Sequence, residues 1–137
     1  ASLQRIQIIK GSITNSGARP SEKVFDVVCS DGLKVDPTTH RCPDNGARVN
    51  IEDCSITSNV GATELKATWR DPEFNPKDKA FYYVRVLENP TCRWSTWDAL
   101  KAGVKPRSDM HKTIQERAWS SPIWYIPVPE DIDIYAL

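Results

Sequence analysis

The chain has 137 residues, 39% of them apolar and 26% charged, which is enough for one domain with its own core. Lys plus Arg and Asp plus Glu both number 18, so the net charge is zero and a nucleic-acid partner is not expected. No apolar run reaches the roughly 18 residues that a membrane span requires.

Gln4 to Thr14 reads as a strand, because β-branched Ile6 and Ile8 alternate with Arg5 and Gln7. Asn15 to Pro20 is turn chemistry. Glu22 to Cys29 reads as a second strand and a hairpin partner of the first, with Val24 and Val28 sharing one face and Phe25 and Val27 partly on the other. Ser30 to Asn50 is a long irregular segment full of turn signals, and it needs something to tie it down. Val49 to Thr57 is expected to hold a short strand. Glu64 to Arg70 alternates Leu65, Ala67 and Trp69 with polar residues, which predicts a half-buried strand; a helical turn also suits Glu-Leu-Lys-Ala. Asp71 to Lys79 is a polar loop with two prolines.

Phe81 to Glu88 carries the strongest strand signal in the chain. Ser95 or Thr96 is expected to cap a short helix through Asp98, Leu100 and Lys101, ended by Gly103. Thr113 to Ala118 is ambiguous between a helical turn and a strand, and Ile123 to Ile126 reads as a last strand. The organisation expected is one β-rich domain over residues 1–126 and a surface tail over 127–137, which holds Glu130, Asp131 and Asp133. The fold class expected is mainly β, a β-sandwich-like domain with one short helix and long disulfide-tied loops.

Cys29, Cys42, Cys54 and Cys92 are even in number and contain no C-x-x-C pair. Two disulfides in an exported protein, four free thiols and metal ligation are the readings open to them. Disulfides are the expected one, paired Cys29–Cys42 and Cys54–Cys92, although four cysteines allow three pairings.

His40 and His111 stand alone in polar loops and read as solvated side chains. No nucleophile elbow, Walker loop or dinucleotide fingerprint is present. Asp71, Glu73 and Asp78 share a loop, but their order does not fit an EF-hand. Trp69, Tyr82, Tyr83, Trp94, Trp97, Trp119 and Trp124 suit either a core and interface or a sugar-stacking platform. Arg93 and Arg117 each lie close to a Trp, where a guanidinium stacks on a ring, grips an anion or joins an ordinary ion pair.

Arg5-Ile-Gln-Ile-Ile-Lys-Gly11, Phe81 to Glu88, Asn89-Pro-Thr-Cys-Arg-Trp-Ser95 and Gln115 to Tyr125 resemble, in order, the C-terminal region of a bacterial family of unknown function. Its members are large exported proteins whose N-terminal part is similar to the PHP (polymerase and histidinol phosphatase) metal-dependent hydrolases. The resemblance implies metal-assisted hydrolysis of phosphate esters by the parent protein, with a divalent metal held by a histidine-rich motif in an N-terminal catalytic domain. That motif has no counterpart here, so neither the metal ligands nor a catalytic residue carries over to this chain. The chain is therefore expected to be a C-terminal piece of a larger periplasmic or secreted hydrolase. Its partner would be the N-terminal catalytic domain of the same protein. Arg93, Trp94, Glu116, Arg117 and Trp119 are the candidate interface or substrate-proximal residues. A free-standing secreted module, of the carbohydrate-binding kind, is the alternative.

Overall fold

A computed structural model describes residues 1–14 and 19–128. The turn expected at Asn15 to Pro20 lies mostly outside them, and the tail expected over 127–137 falls within them only at Pro127 and Val128. The chain is mainly β, with one short helix and loops tied by two disulfides. Its order is β1 (Leu3–Ile13), β2 (Ser21–Cys29), β3 (Lys79–Glu88), β4 (Thr91–Cys92), α1 (Trp94–Lys101), β5 (Thr113–Ile114), β6 (Arg117–Trp119) and β7 (Ile123–Tyr125).

β1 and β3 form the centre of an open five-stranded sheet, with β2 beyond β1, and β6 and β7 both on the far edge of β3. All of these pairings are antiparallel. β4 and β5 form a separate two-stranded ladder. The layer laid over the large sheet consists of loops, not of a second full sheet. Phe25, Trp69 and Tyr82 pack ring against ring there, at 5.3 and 6.3 Å between centroids, and His40 meets Phe25 edge-on. Ile9, at the centre of β1, is completely buried.

A register shift between Ile6 and Gln7 changes the face pattern of β2. It places one extra residue, Val27, on the outer strand. Phe25 and Val28 therefore share a face, opposite Ile8 and Ile6, whereas Val24 and Asp26 lie on the other. This corrects the expected pairing of Val24 with Val28.

Two expected strands are absent. Val49 to Thr57 contains only an isolated bridge between Val49 and Ile56, around a turn at 51–53. Glu64 to Arg70 has no ladder partner, although Trp69 still packs on the sheet. Thr113 to Ala118 resolves as strand, divided between β5 and β6.

Helix α1 begins one residue earlier than the expected caps. Arg93 is its N-cap, with no side-chain cap, so Ser95 and Thr96 lie inside the helix. Thr96 instead donates its hydroxyl to the Lys112 carbonyl at 2.8 Å, and the Arg93 N–H meets the same carbonyl at 2.9 Å. This fastens the helix start to the strand that follows it. At the other end Gly103 has φ 65°, and the amides of Gly103 and Val104 close on the carbonyls of Leu100 and Ala99. That is a Schellman stop, and it needs the left-handed glycine.

The disulfides are Cys29–Cys42 and Cys54–Cys92, as expected, with Cα–Cα distances of 5.7 and 5.6 Å. Side-chain amides tie the loops further. Asn45 donates to the Asn89 side chain at 2.9 Å, Asn89 donates to the Val60 carbonyl, and Gln115 donates to Gln4 at 2.7 Å.

Candidate functional site

Directly opposed residues in an antiparallel ladder project to the same face. Gly11, Phe81 and Trp124 are one such row, and Gln7, Arg85 and Trp119 are another. Tyr83, opposite Ile9, lies between the two rows. One face of the sheet therefore carries Trp124, Phe81, Tyr83 and Trp119 along a single edge. Phe81 stacks with Tyr83 at 6.4 Å and leans on Trp124 at 5.3 Å with a 50° tilt.

Gly11 makes this arrangement fit. A Cβ at that position would stand 2.2 Å from the Phe81 ring, so only glycine lets the ring lie on β1. Trp124 is 68% exposed and Trp119 58%, with Ile123 at 72% on the reverse side of the same edge. A groove of about 470 Å³ runs beside Trp124, lined by Gly11, Ile13, Pro20, Ala80 and Phe81. Half-exposed rings of this size are costly to leave in water, and contiguous ones mark contact surfaces.

The edge itself is interrupted. Between the pairs Arg85–Trp119 and Tyr82–Ile123 the chain inserts Ser120, Ser121 and Pro122 opposite Tyr83 and Val84. The Ser120 hydroxyl oxygen accepts the Val84 N–H at 2.9 Å, and the Ser120 N–H returns to the Val84 carbonyl at 3.0 Å. Pro122 has no N–H to offer, so the ladder resumes only at Ile123.

On the same face, towards β2, the surface turns polar. Asp26 has its carboxylate 1% exposed. Its Oδ1 accepts from the Gln7 side-chain amide at 2.5 Å, and its Oδ2 accepts from the Cys42 N–H at 2.7 Å. Arg5 and Arg41 approach it to 3.8 and 3.6 Å, close enough for charge pairing but beyond hydrogen-bond length. Arg85 donates through Nε to the Gln7 Oε1 at 2.8 Å.

The five candidate residues fall into two groups. Arg117 and Trp119 belong to β6 and are exposed; Trp119 lies on the aromatic face described above. Among the described residues, Arg117 hydrogen-bonds only to the carbonyl of Gln115, at 3.4 Å. Glu116 is exposed, and its carbonyl accepts the Glu88 N–H at 2.9 Å, which continues the β3 ladder. Trp94 opens α1 and is 67% exposed. Arg93 differs from the rest, because it is half-buried and its Nε is enclosed without a hydrogen-bond partner. The β4–β5 register sets Arg93 opposite Lys112 and leaves Glu116 opposite Glu88, so the Arg93–Trp94 and Glu116–Arg117 segments lie at different levels of the ladder. Sequence reasoning placed Trp124 among the aromatics that suit a core and interface or a sugar-stacking platform, but did not single out Phe81 and Gly11, nor the cluster of Arg5, Asp26, Arg41 and Arg85. A glycine opposite an aromatic in two strong strands was the one available signal for the first group.

Among the described residues no three His, Cys, Asp or Glu side chains converge as a metal site. His40 packs on Phe25, Asp71 is held by Lys10 and Tyr82, and Glu73 is paired with Lys23. No described helix is long and apolar enough to cross a membrane.

A family model described as a protein of unknown function (DUF3604) matches residues 1–127. The chain belongs to that family. No curated protein and no solved structure matches it. The DUF3604 match takes in every strand of both sheets, both disulfides and the aromatic edge.

Proposed function

We propose that this DUF3604 chain is a non-catalytic accessory domain that packs on and supports the catalytic domain of a metal-dependent, phosphoesterase-like hydrolase. The observation that carries the reading is the row Trp124, Phe81, Tyr83 and Trp119, held on one sheet face with its two tryptophans in solvent. Trp and Arg are the residue types in which interfaces concentrate their energy, and Arg117 and Arg85 flank this row. The 50° tilt between Phe81 and Trp124 gives a ridged surface that suits interdigitating side chains better than the flat face of a sugar. The resemblance to exported PHP-type hydrolases supplies the partner, an N-terminal catalytic domain that carries a divalent metal. Two disulfides fit an oxidising compartment, so the protein belongs in the periplasm or outside the cell.

The test uses the parent protein. Trp119→Ala and Trp124→Ala should separate one unfolding transition into two and lower hydrolysis, whereas the 137-residue chain alone should show no metal-dependent phosphoesterase activity. Turnover by the isolated chain that is lost on replacing His40 or His111 would overturn the reading. Arg93→Ala in the parent protein should lower activity more than thermal stability. A parallel fall in both would give Arg93 a structural role, and unchanged activity would remove it from the site. Saturable quenching of tryptophan fluorescence by soluble oligosaccharides would favour the carbohydrate-binding alternative.

A further inference from the structure

We propose that Arg5, Arg41 and Arg85 form an oxyanion-binding site on the sheet face, independent of the docking reading above. The three side chains line a recess of about 430 Å³ together with Gln7, Val24, Asp26 and Cys42. Three guanidiniums face one carboxylate, which leaves an excess of two positive charges in a chain whose net charge is zero. Among the described residues, no other acid lines the recess.

Asp26 does not use up the arginines. Its two oxygens are already engaged by the Gln7 amide and the Cys42 N–H, at 2.5 and 2.7 Å. Arg5 and Arg41 stand off at 3.8 and 3.6 Å, where they neutralise charge but make no hydrogen bond. Arg5 Nε is enclosed with no hydrogen-bond partner, an arrangement that is costly to leave as it is. Among the described residues, Arg85 commits only its Nε, to Gln7. Among the described residues, no hydrogen bond engages the terminal nitrogens of the three guanidiniums. Planar forks with spare N–H groups match the paired oxygens of a phosphate or a carboxylate.

Gln7 is the positioning residue. It donates to Asp26 through Nε2 and accepts from Arg85 through Oε1, so its amide links the acid on β2 to the guanidinium on β3. Cys42 is fixed by its disulfide to Cys29, which holds the neighbouring Arg41 at the rim.

The experiment is a titration of the 137-residue chain, followed by the backbone amide and arginine Nε–H signals in nuclear magnetic resonance. Inorganic phosphate and acetate are the two arms, with ionic strength held constant by sodium chloride. Saturable shifts at Arg5, Arg85 and the Cys42 amide are expected in at least one arm, and the responding arm identifies the ligand as phosphoryl or carboxylate. Arg41→Gln and Arg85→Gln should each weaken that response about tenfold, the loss of one charge-assisted contact, and Arg41→Lys should weaken it less. Preserved dispersion of the amide signals shows that each variant is folded; Arg41 is half exposed in a loop, so its replacement leaves the sheet intact. Shifts that stay linear in both arms overturn the site, as do saturable shifts that are unchanged in both glutamine variants.

Discussion

Lys10 Nζ lies 2.6 Å from Asp71 Oδ2, with the two side chains 8% and 7% exposed. A lysine in the middle of β1 is buried because a loop acid 61 positions away comes over the sheet to meet it. The Tyr82 hydroxyl donates to the same oxygen at 2.7 Å, and the Glu73 carbonyl takes another lysine proton at 2.8 Å. Every strong hydrogen-bonding group in this nest is engaged. Removing one partner strands the other charge, which costs about 3–5 kcal/mol. Lys10→Met should therefore destabilise the chain by that amount in urea unfolding, whereas Lys10→Met with Asp71→Leu should recover most of the loss.

The same nest sets a pH dependence. Burial, the largest single influence, pushes the Asp71 carboxyl up, but the contacts from Lys10, Tyr82 and the Glu73 N–H together hold it below its ordinary 3.8. A carboxyl depressed in the folded state contributes stability that is present above its unfolded value and is lost as pH falls through the folded one. Thermal midpoints should accordingly be steady from pH 7 to 5 and fall below about pH 4. Asp71→Asn should flatten that acid limb. Burial and then Asp71 push the Tyr82 phenol up, so its contribution is lost in the opposite direction, as pH rises above 10. Tyr82→Phe should remove the alkaline limb.

The two disulfides should differ in worth. Cys29–Cys42 closes a separation of 13 residues and Cys54–Cys92 one of 38. Loop-closure entropy gives about 3 kcal/mol for the first and about 4 kcal/mol for the second. Replacing each pair by alanine and comparing denaturant midpoints should rank them in that order. A larger loss from Cys29–Cys42 would mean that its bridge also secures native contacts of the Arg41 loop, such as the Cys42 N–H to Asp26 hydrogen bond.

Gly11 should be intolerant of the smallest side chain. Its Cβ would stand 2.2 Å from the Phe81 ring, so Gly11→Ala must lift that ring off β1. Overpacking of this kind costs about 1–3 kcal/mol. The near-ultraviolet circular dichroism of the Phe81, Tyr83 and Trp124 cluster should change as well. Adding Phe81→Leu should restore much of the stability but not the aromatic signal.

The central strands were legible because their local signals were dense. Ile6 to Ile9 and Phe81 to Val86 are β-branched or aromatic nearly throughout, and strands buried on both faces carry that composition. Glu64 to Arg70 misled because alternation follows from any extended chain lying over an apolar surface. Trp69 points inward as a strand residue would, but the backbone meets no ladder partner. Ser95 and Thr96 are good capping types, yet the hydroxyl of Thr96 is drawn to the Lys112 carbonyl. The Val27 bulge was invisible, since register depends on the neighbouring strand. The arginine recess was hidden for the same reason. Arg5, Asp26, Arg41 and Arg85 are ordinary in sequence, and only β1 pairing with both β2 and β3 brings them to one place.

The break at Ser120 has a consequence for how the domain behaves in concentrated solution. A long regular edge would template further strands and lead towards fibrils, but this one is cut into two three-residue pieces by a serine that turns its own hydroxyl into a ladder partner and by a proline that cannot donate. On this edge, stickiness therefore resides in ring faces and not in backbone. Self-association of the isolated chain should be reversible, strengthened by sulfate, reduced by Trp124→Ala, and silent to amyloid dyes.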